Sequence, residues 1–388
     1  MTTVALGDVV DFYSGGTPSK SKPELWQGNV PWFSAKDMKR SRLRDSADHV
    51  ADDVFSSTPL RKLPAGTIAM VVRGMILAHT VPISILDVDA AINQDLKALI
   101  PKRDLDTSFL AAMLRAQHAT ILSQVSTAAH GTTKLDSRVL ENLRIPFPPL
   151  PEQRRIAAIL DHADALRTKR RQVLGHLNDL LASTFDAMFG KSSWLTATLD
   201  DVSLIAGEYG ASVPSIAWHK ELPRYVRITD ITAPGALSDD VRSPGGERGD
   251  WMRYQLVDGD LLFARSGATV GKTYRYRSTD GECVFAGYLI RYRPDPDIVD
   301  PEYLFGLTKT ARYASWVAAR QNVVAQPNIN AKQYGRELPI PLPPLDLQRK
   351  FAARADMIYQ QRAAIQSASS VDDELFVSLQ SRAFREEL

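Results

Sequence analysis

One phrase occurs twice in this chain and constrains everything around it. Ile145-Pro-Phe-Pro-Pro-Leu-Pro-Glu-Gln-Arg-Arg-Ile156 returns as Ile340-Pro-Leu-Pro-Pro-Leu-Asp-Leu-Gln-Arg-Lys-Phe351, at an offset of 195 residues. Each proline block fixes φ and removes backbone donors, so it is expected to stop the sheet that precedes it. A long helical pattern follows each block. Its first turn holds Glu152 or Asp346, where the helix dipole favours negative charge. The phrase therefore predicts two units, each a globule followed by a helix.

Other features recur at nearly the same offset, 193 residues from Leu6 to Leu199. Leu6-Gly-Asp-Val9 matches Leu199-Asp-Asp-Val202, and Trp32-Phe-Ser-Ala-Lys-Asp-Met38 matches Tyr225-Val-Arg-Ile-Thr-Asp-Ile231. Leu63-Pro-Ala-Gly66 matches Leu256-Val-Asp-Gly259, and Gly74 matches Gly267. Ordered matches at a near-constant offset imply a duplicated domain, since the period is far too long for a solenoid repeat. The 388 residues suffice for two or three domains with their own cores.

Within each copy the region before the proline phrase reads as mixed and strand-rich. Thr67-Ile-Ala-Met-Val-Val72 and Asp260-Leu-Leu-Phe-Ala-Arg265 are short apolar runs after a glycine turn, as buried strands are. Ala98-Leu-Ile-Pro101 and Tyr288 to Pro294 are further strand candidates. Phe109 to Arg115 and Tyr303 to Leu307 read as short helices. Ser19 to Gly28 and Pro234 to Gly249 are turn-rich polar loops.

The first long helix is predicted over Glu152 to Met188, stopping at Gly190, a natural C′ residue. Ile156, Ile159, Ala163, Leu166, Val173, Leu177, Leu180 and Ala187 follow a three-four spacing broken by Arg170 and Thr184, which predicts a coiled-coil seam. The second helix carries Phe351, Ala355, Ile358, Ile365, Phe376, Leu379 and Ala383. The residues expected to pack the spacer helices are Ile156, Leu160, Leu166, Leu177, Leu180, Phe351, Ile358, Ile365 and Leu379. The expected class is α+β: two similar strand-rich domains separated by two long helices packed as an antiparallel coiled coil, with internal pseudo-twofold symmetry. The expected boundaries are 1–145 and 193–340 for the globular domains, and 146–192 and 341–388 for the helices.

Composition narrows the function. No run of eighteen apolar residues predicts a transmembrane helix, and the N-terminus lacks the pattern of a signal peptide. Cys283 is the only cysteine, which fits a reducing compartment and excludes an intramolecular disulfide or multi-cysteine metal site. The expected location is the cytoplasm. Ser266-Gly-Ala-Thr-Val-Gly-Lys-Thr273 is like a phosphate-binding loop but has three residues between Gly267 and Gly271 where the Walker spacing needs four. It reads instead as a strand-to-strand turn, or as a loop that approaches a phosphate backbone. Pro148-Pro149 follows Phe147, so the amide or carboxylate of an amino-methyltransferase motif is missing. No nuclease carboxylate cluster and no Ser/His/Asp set stands out, and His162 and His176 read as solvated positions on the long helix. The chain reads as non-catalytic, with no cofactor or metal of its own.

Binding remains. A net charge of +2 is too small to advertise nucleic acid, so any such surface must come from local clustering. Lys36, Lys39, Arg40, Arg42 and Arg44 follow Trp32 closely. Arg224, Arg227, Arg242, Arg248, Arg253, Arg265, Lys272, Arg275, Arg277, Arg291 and Arg293 make the second globule basic. Such residues neutralise phosphates or pair with base edges, or simply form a solvated surface. The polar loops His130-Gly-Thr-Thr-Lys134 and Gln326-Pro-Asn-Ile-Asn330 stand at equivalent places, as base-reading loops or as ordinary turns. The candidate DNA contacts are Lys20, Lys36, Lys39, Arg40, Arg73, Thr132, Thr133, Lys134, Arg227, Arg265, Ser266, Lys272, Gln326 and Asn328. The run Arg167-Thr-Lys-Arg-Arg171 reads as a solvated helix face, or as a contact for DNA backbone or a partner.

The duplicated pattern resembles the DNA specificity subunit of type I restriction-modification systems. The resemblance is carried by Leu6-Gly-Asp-Val9, the Trp32 to Asp37 stretch, Gly259-Asp-Leu-Leu-Phe-Ala-Arg-Ser-Gly-Ala-Thr-Val-Gly-Lys272 and both proline phrases with their helices. The first copy departs from it: Met70 to His79 lacks the Arg-Ser-Gly and Gly-Lys pieces. The resemblance implies two target-recognition domains, each reading half of a bipartite, asymmetric site in double-stranded DNA, with the helices as spacer. It also implies two methylation subunits and motor-nuclease restriction subunits as partners, which would carry S-adenosylmethionine, Mg and ATP. The other class open to this sequence is a non-enzymatic scaffold that binds protein partners through its helices and globular domains.

Overall fold

The computed structural model describes residues 2–102, 104–127, 133–191, 193–321 and 327–383. Two candidate contacts, Thr132 and Gln326, lie outside the described residues. The chain divides into two compact units, Met1–Lys169 with Ala368–Leu388, and Arg170–Ser367. The class is α+β, and the duplication extends to individual hydrogen bonds.

In unit 1 a five-stranded sheet runs in the order Val10–Ser14, Leu96–Pro101, Ile68–Val71, Ile83–Leu86, Arg42–Leu43. Its neighbours are antiparallel except the last pair, which is parallel. Unit 2 has a four-stranded antiparallel sheet ordered Ser203–Tyr209, Leu289–Pro294, Leu261–Ala264, Thr273–Arg275. Each unit adds a parallel pair, Val30–Phe33 with Ala91–Ile92 and Arg224–Val226 with Cys283–Phe285.

The elements arise from the same local chemistry in both copies. Gly66 and Gly259 hold φ of 88° and 90°, which a side chain resists, and each turns the chain into a fully buried central strand. The aspartates shared by the two Trp32- and Tyr225-type segments accept backbone N–H bonds from three residues upstream: Asp37 from Ser34 and Asp230 from Arg227, both at 2.9 Å. The short helices Thr107–Ala116 and Pro301–Leu307 begin at Asp106 and Asp300, whose side chains cap their first turns.

The proline phrases do not simply end a sheet. Ile145 and Pro146 pair antiparallel with Val4 and Thr3, and Ile340 and Pro341 with Ala197 and Thr196. Each pair is only two strands wide, so the proline sits on an edge where its missing N–H costs nothing. The long helices then run Leu150–Phe189 and Leu345–Ala383. At each start a buried glutamine ties helix to globule. Gln153 accepts from Asp106 N (2.8 Å) and donates to the carbonyls of Asp104 (2.9 Å) and Pro148 (2.8 Å). Gln348 accepts from Asp300 N (2.8 Å) and donates to the carbonyls of Pro343 (2.9 Å) and Ile298 (3.5 Å).

Both units use part of both helices, packed antiparallel within each. In unit 1, Ile156, Ala157 and Leu160 enter the core with Ala383, and Phe376 and Leu379 pack on it. The Arg167 guanidinium lies 4.2 Å from the Phe376 ring centroid, with its Nε 2.5 Å from Asp373. In unit 2, Phe185 and Phe189 meet Phe351 at 5.3 and 5.8 Å between centroids. The expected seam needs correction. Ile156, Leu160, Leu177 and Phe351 are buried and Ile358, Ile365 and Leu379 half-buried, but Leu166 and Leu180 are 43% and 47% exposed. Val173 and Ala187 are also exposed. From Leu160 the inward stripe passes through Asp164, Arg167, Arg170, Leu174, Leu177, Leu181, Phe185 and Phe189. It keeps the three-four spacing but holds charged residues in the middle, so following apolar residues alone leads onto the neighbouring face.

Candidate nucleic-acid interface

The described residues of the two polar loops, 133–134 and 327–330, lie against the glycine turns expected from the sequence. In unit 1 the buried strand Ile68–Val71 leads through Arg73 to Gly74, whose φ is 125°. Gly74 N donates to Thr133 O (3.1 Å), Leu135 N donates to Val72 O (2.9 Å), and Arg73 bridges to Lys134. In unit 2 Leu261–Ala264 leads through Arg265 and Ser266 to Gly267, whose φ is 67°. Gly267 N donates to Pro327 O (3.1 Å), Ile329 N donates to Arg265 O (2.9 Å), and Ser266 bridges to Asn328. Segments about 60 residues apart thus form one platform in each copy.

The candidates on these platforms differ in availability. Arg73 and Asn328 are exposed. Thr133 is buried and its hydroxyl donates to the Gly74 carbonyl, which makes it a brace. Lys134 is half exposed, 4.0 Å from Asp136. Lys272 donates to the Ile231 carbonyl at 3.0 Å. The stretch from Ser266 to Thr273 joins two antiparallel strands and contains only a 3-10 turn, so no long helix follows it to receive a phosphate. Arg265 lies with its guanidinium carbon 4.8 Å from the Tyr209 ring centroid and 5.6 Å from that of Tyr288.

A second cluster in unit 1 lies along one open cleft of about 610 Å³, lined by Lys36, Lys39, Arg40, Arg42 and Arg44. Arg42 and Arg44 are held by Asp87 at 2.7 and 3.2 Å. Lys36 is 2.7 Å from Asp48, whose hydrogen bond raises its pKa. Lys39 and Arg40 are exposed. Lys20 is exposed and does not line that cleft.

The basic character of the unit 2 strands needs correction. Buried Glu302 takes Arg277 at 2.7 Å and Arg275 at 3.4 Å, and accepts from the Tyr359 hydroxyl at 2.6 Å. Buried Asp260 takes Arg293 at 2.7 Å and Arg291 at 3.5 Å, and Arg291 also bonds Glu208. These arginines neutralise carboxylates that burial would otherwise penalise. Arg227 is likewise clasped by Asp230 and by Asp240 (2.9 Å), which together raise its pKa, the Asp230 hydrogen bond most. On the long helix, Arg167 and Arg170 are half-buried, whereas Lys169 and Arg171 face outward. His162 and His176 are exposed.

Sequence reasoning missed Tyr209 and Tyr288. Their only signal was an aromatic residue at each end of neighbouring strands. It acquires meaning once Ser203–Tyr209 pairs with Leu289–Pro294. Among the described residues no group of three or more His, Cys, Asp or Glu could hold a metal ion, and no helix is long and apolar enough to cross a membrane.

Residues 1–175 match the family model described as Type I restriction modification DNA specificity domain. The chain is 36% identical over 162 residues to the EcoR124I/EcoR124II specificity subunit of Escherichia coli, covering 42% of this chain and 40% of that protein. It is 26% identical over 173 residues to the MjaIX specificity subunit of Methanocaldococcus jannaschii, covering 43% and 39%. The matched stretch thus spans about two fifths of the length of each relative. Among solved structures, the S subunit of a type I restriction-modification system from M. genitalium superposes with a TM-score of 0.60 at 16% identity, over 99% of this chain and 96% of that one. A chain from a type I R-M system, solved to describe complex assembly and conformational transition, gives 0.54 at 17%, over 100% and 98%. Residues 1–175 are thus similar to the type I restriction modification DNA specificity domain, and the chain as a whole shares the fold of the solved type I S subunits.

Proposed function

We propose that this chain is the sequence-specific DNA-binding subunit of a type I restriction-modification complex, each unit reading one half of a bipartite, asymmetric site. One observation carries this reading. Both units build the same platform, in which a glycine turn is laced to a polar loop (Gly74 to Thr133, Gly267 to Pro327), and the side chains on the two platforms differ. A shared frame with unlike surface residues suits two half-sites of different sequence, because backbone contacts position a protein while base contacts specify. The DNA contacts proposed are the exposed Lys20, Lys39, Arg40, Arg73 and Asn328, with Lys36, Lys134, Arg265, Ser266 and Lys272. Thr132 and Gln326 are proposed from the sequence alone. Arg227, clasped by two aspartates, is proposed as a contact only if DNA displaces Asp240.

The chain itself is proposed to be non-catalytic. Two methylation subunits and motor-nuclease subunits dock on it in the cytoplasm and bring S-adenosylmethionine, Mg and ATP. The exposed apolar residues of the long helices, among them Leu180, Met357 and Leu375, support a docking role.

The test is to sequence methylated sites in cells carrying the whole system. A single bipartite motif that disappears when this gene is deleted is the expected result; methylation with no motif, or a motif independent of this chain, would refute the reading. Salt separates it from the scaffold alternative. Binding through several phosphates weakens steeply between about 50 and 200 mM salt, whereas a largely apolar protein interface does not.

A further inference from the structure

Arg265 differs from the other arginines of its sheet. Arg275, Arg277, Arg291 and Arg293 are all bonded to carboxylates. Among the described residues the Arg265 side chain has no hydrogen-bond or ion-pair partner; a buried, unpartnered Nε it shares with Arg275 and Arg291, but those two have carboxylates on their other nitrogens. Its backbone is nonetheless fixed on both sides, N to Tyr288 O (3.2 Å) and O to Ile329 N (2.9 Å). The guanidinium is held between two tyrosine rings. The Tyr209 ring is itself pinned, because its hydroxyl accepts from Ala331 N at 3.1 Å. Tyr288 is 59% exposed, so the clamp stands at the surface.

The equivalent place in unit 1 carries none of this. Val72 N donates to Asp95 O and Leu135 N to Val72 O, the same pattern that Arg265 makes with Tyr288 and Ile329. Val72 thus replaces Arg265 and Asp95 replaces Tyr288. Ser14, which pairs with Lys97 as Tyr209 pairs with Ile290, replaces Tyr209. A contact that merely seats DNA backbone on the platform is needed by both copies; a contact that reads sequence is where the copies should differ.

We propose that Arg265 is a specificity-determining residue of unit 2, its guanidinium clamped by Tyr209 and Tyr288 to hydrogen-bond O6 and N7 of one guanine in the half-site that unit 2 reads. This rests on the reading of the chain as a DNA specificity subunit. A clamp that fixes the guanidinium plane favours in-plane, bidentate recognition of a base edge. Exposed Asn328, across the bridge from Ser266, lies beside it on the same platform.

The test compares methylation of a randomised duplex library by the intact complex carrying the native chain, Arg265→Ala, Arg265→Lys or Tyr288→Ala. The native complex should yield a bipartite motif with guanine at the position concerned, on either strand. Both Arg265 variants should relax that one position by roughly tenfold or more, leaving the other half-site and the gap unchanged. Tyr288→Ala, which keeps the cation and removes its clamp, should relax the same position. A native motif that all three variants preserve would overturn the assignment while leaving the DNA-binding reading intact. So would a uniform loss of affinity across all sequences with a salt slope reduced by about one, the signature of a phosphate contact. A native complex without any motif would overturn both.

Discussion

At the scale of single residues, a few charges of unit 2 are turned inward, Asp230, Asp260, Arg291 and Glu302 among them. Lys309 is the one whose protonation this changes most plainly. Its Nζ donates to the hydroxyl (2.8 Å) and carbonyl (3.2 Å) of Thr273 and lies 4.3 Å from the Phe305 ring centroid. Burial pushes its pKa down to about 7, against the opposing pull of Glu302. In the unfolded chain the same amine titrates near ~10.4. Between about 7 and ~10 the unfolded state therefore holds a proton that the folded state has shed. The contribution to stability rises with pH across that window, by up to about 1.4 kcal/mol per pH unit, and is lost as pH falls through it. Lys309→Met should flatten this dependence in denaturant titrations run at pH 7 and pH 9; identical slopes for the two proteins would contradict the account. The inward charges also explain what the sequence hid. Arg275, Arg277, Arg291 and Arg293 look like a basic surface in a linear reading, because nothing local places them beside Glu302 and Asp260.

At the scale of elements, the strands and short helices were legible from local signals: a glycine turn before an apolar run, an aspartate before a helix, proline after a strand. The helix seam was only half legible. Its apolar members near the ends were found, but its middle is polar, and the apolar pattern there pointed one residue aside. The two leucines Leu177 and Leu180 separate the alternatives. Leu177→Ala should lower the stability of the isolated chain by about 2–3 kcal/mol. Leu180→Ala should stay within about 0.5 kcal/mol. Equal losses measured by denaturant unfolding would restore the expected seam. The glutamines of the proline phrases were visible as repeated letters without a role. Their role needs the loop before each short helix, some 50 residues upstream, to fold back on the phrase. Gln153→Ala or Gln348→Ala leaves a buried amide and carbonyls unpaired, and should cost about 1–3 kcal/mol each. Gln→Glu at the same places keeps the acceptor but loses the donor, so it should not rescue.

At the scale of the whole molecule, the matching hydrogen bonds around Gly74 and Gly267 identify the units as copies of one frame with unlike surfaces. Modular exchange follows from that. Replacing residues 1–145 with those of a relative of different specificity should change one half-site of the methylation motif and leave the other untouched. A change in both halves, read by sequencing methylated DNA, would mean that the units do not read independently. The site was less legible than the fold at this scale. The Tyr209–Arg265–Tyr288 cluster joins three strand ends that are distant in sequence, and no spacing rule announces it.

The sharing of helices has a consequence in time. Ala383 lies in the core of unit 1, and Phe376 and Leu379 pack on that core, yet residues 170–367 separate them from the rest of the unit. A ribosome adding roughly 5–20 residues per second needs about 10–40 s to cross that interval. At its end every segment of unit 2 is made, whereas Ile156 and Leu160 still lack their full complement of neighbours. The second copy can close first, and the first copy waits on the translation of the last helix. A ribosome that stalls within that helix would release a chain whose earliest-made unit is its least finished one.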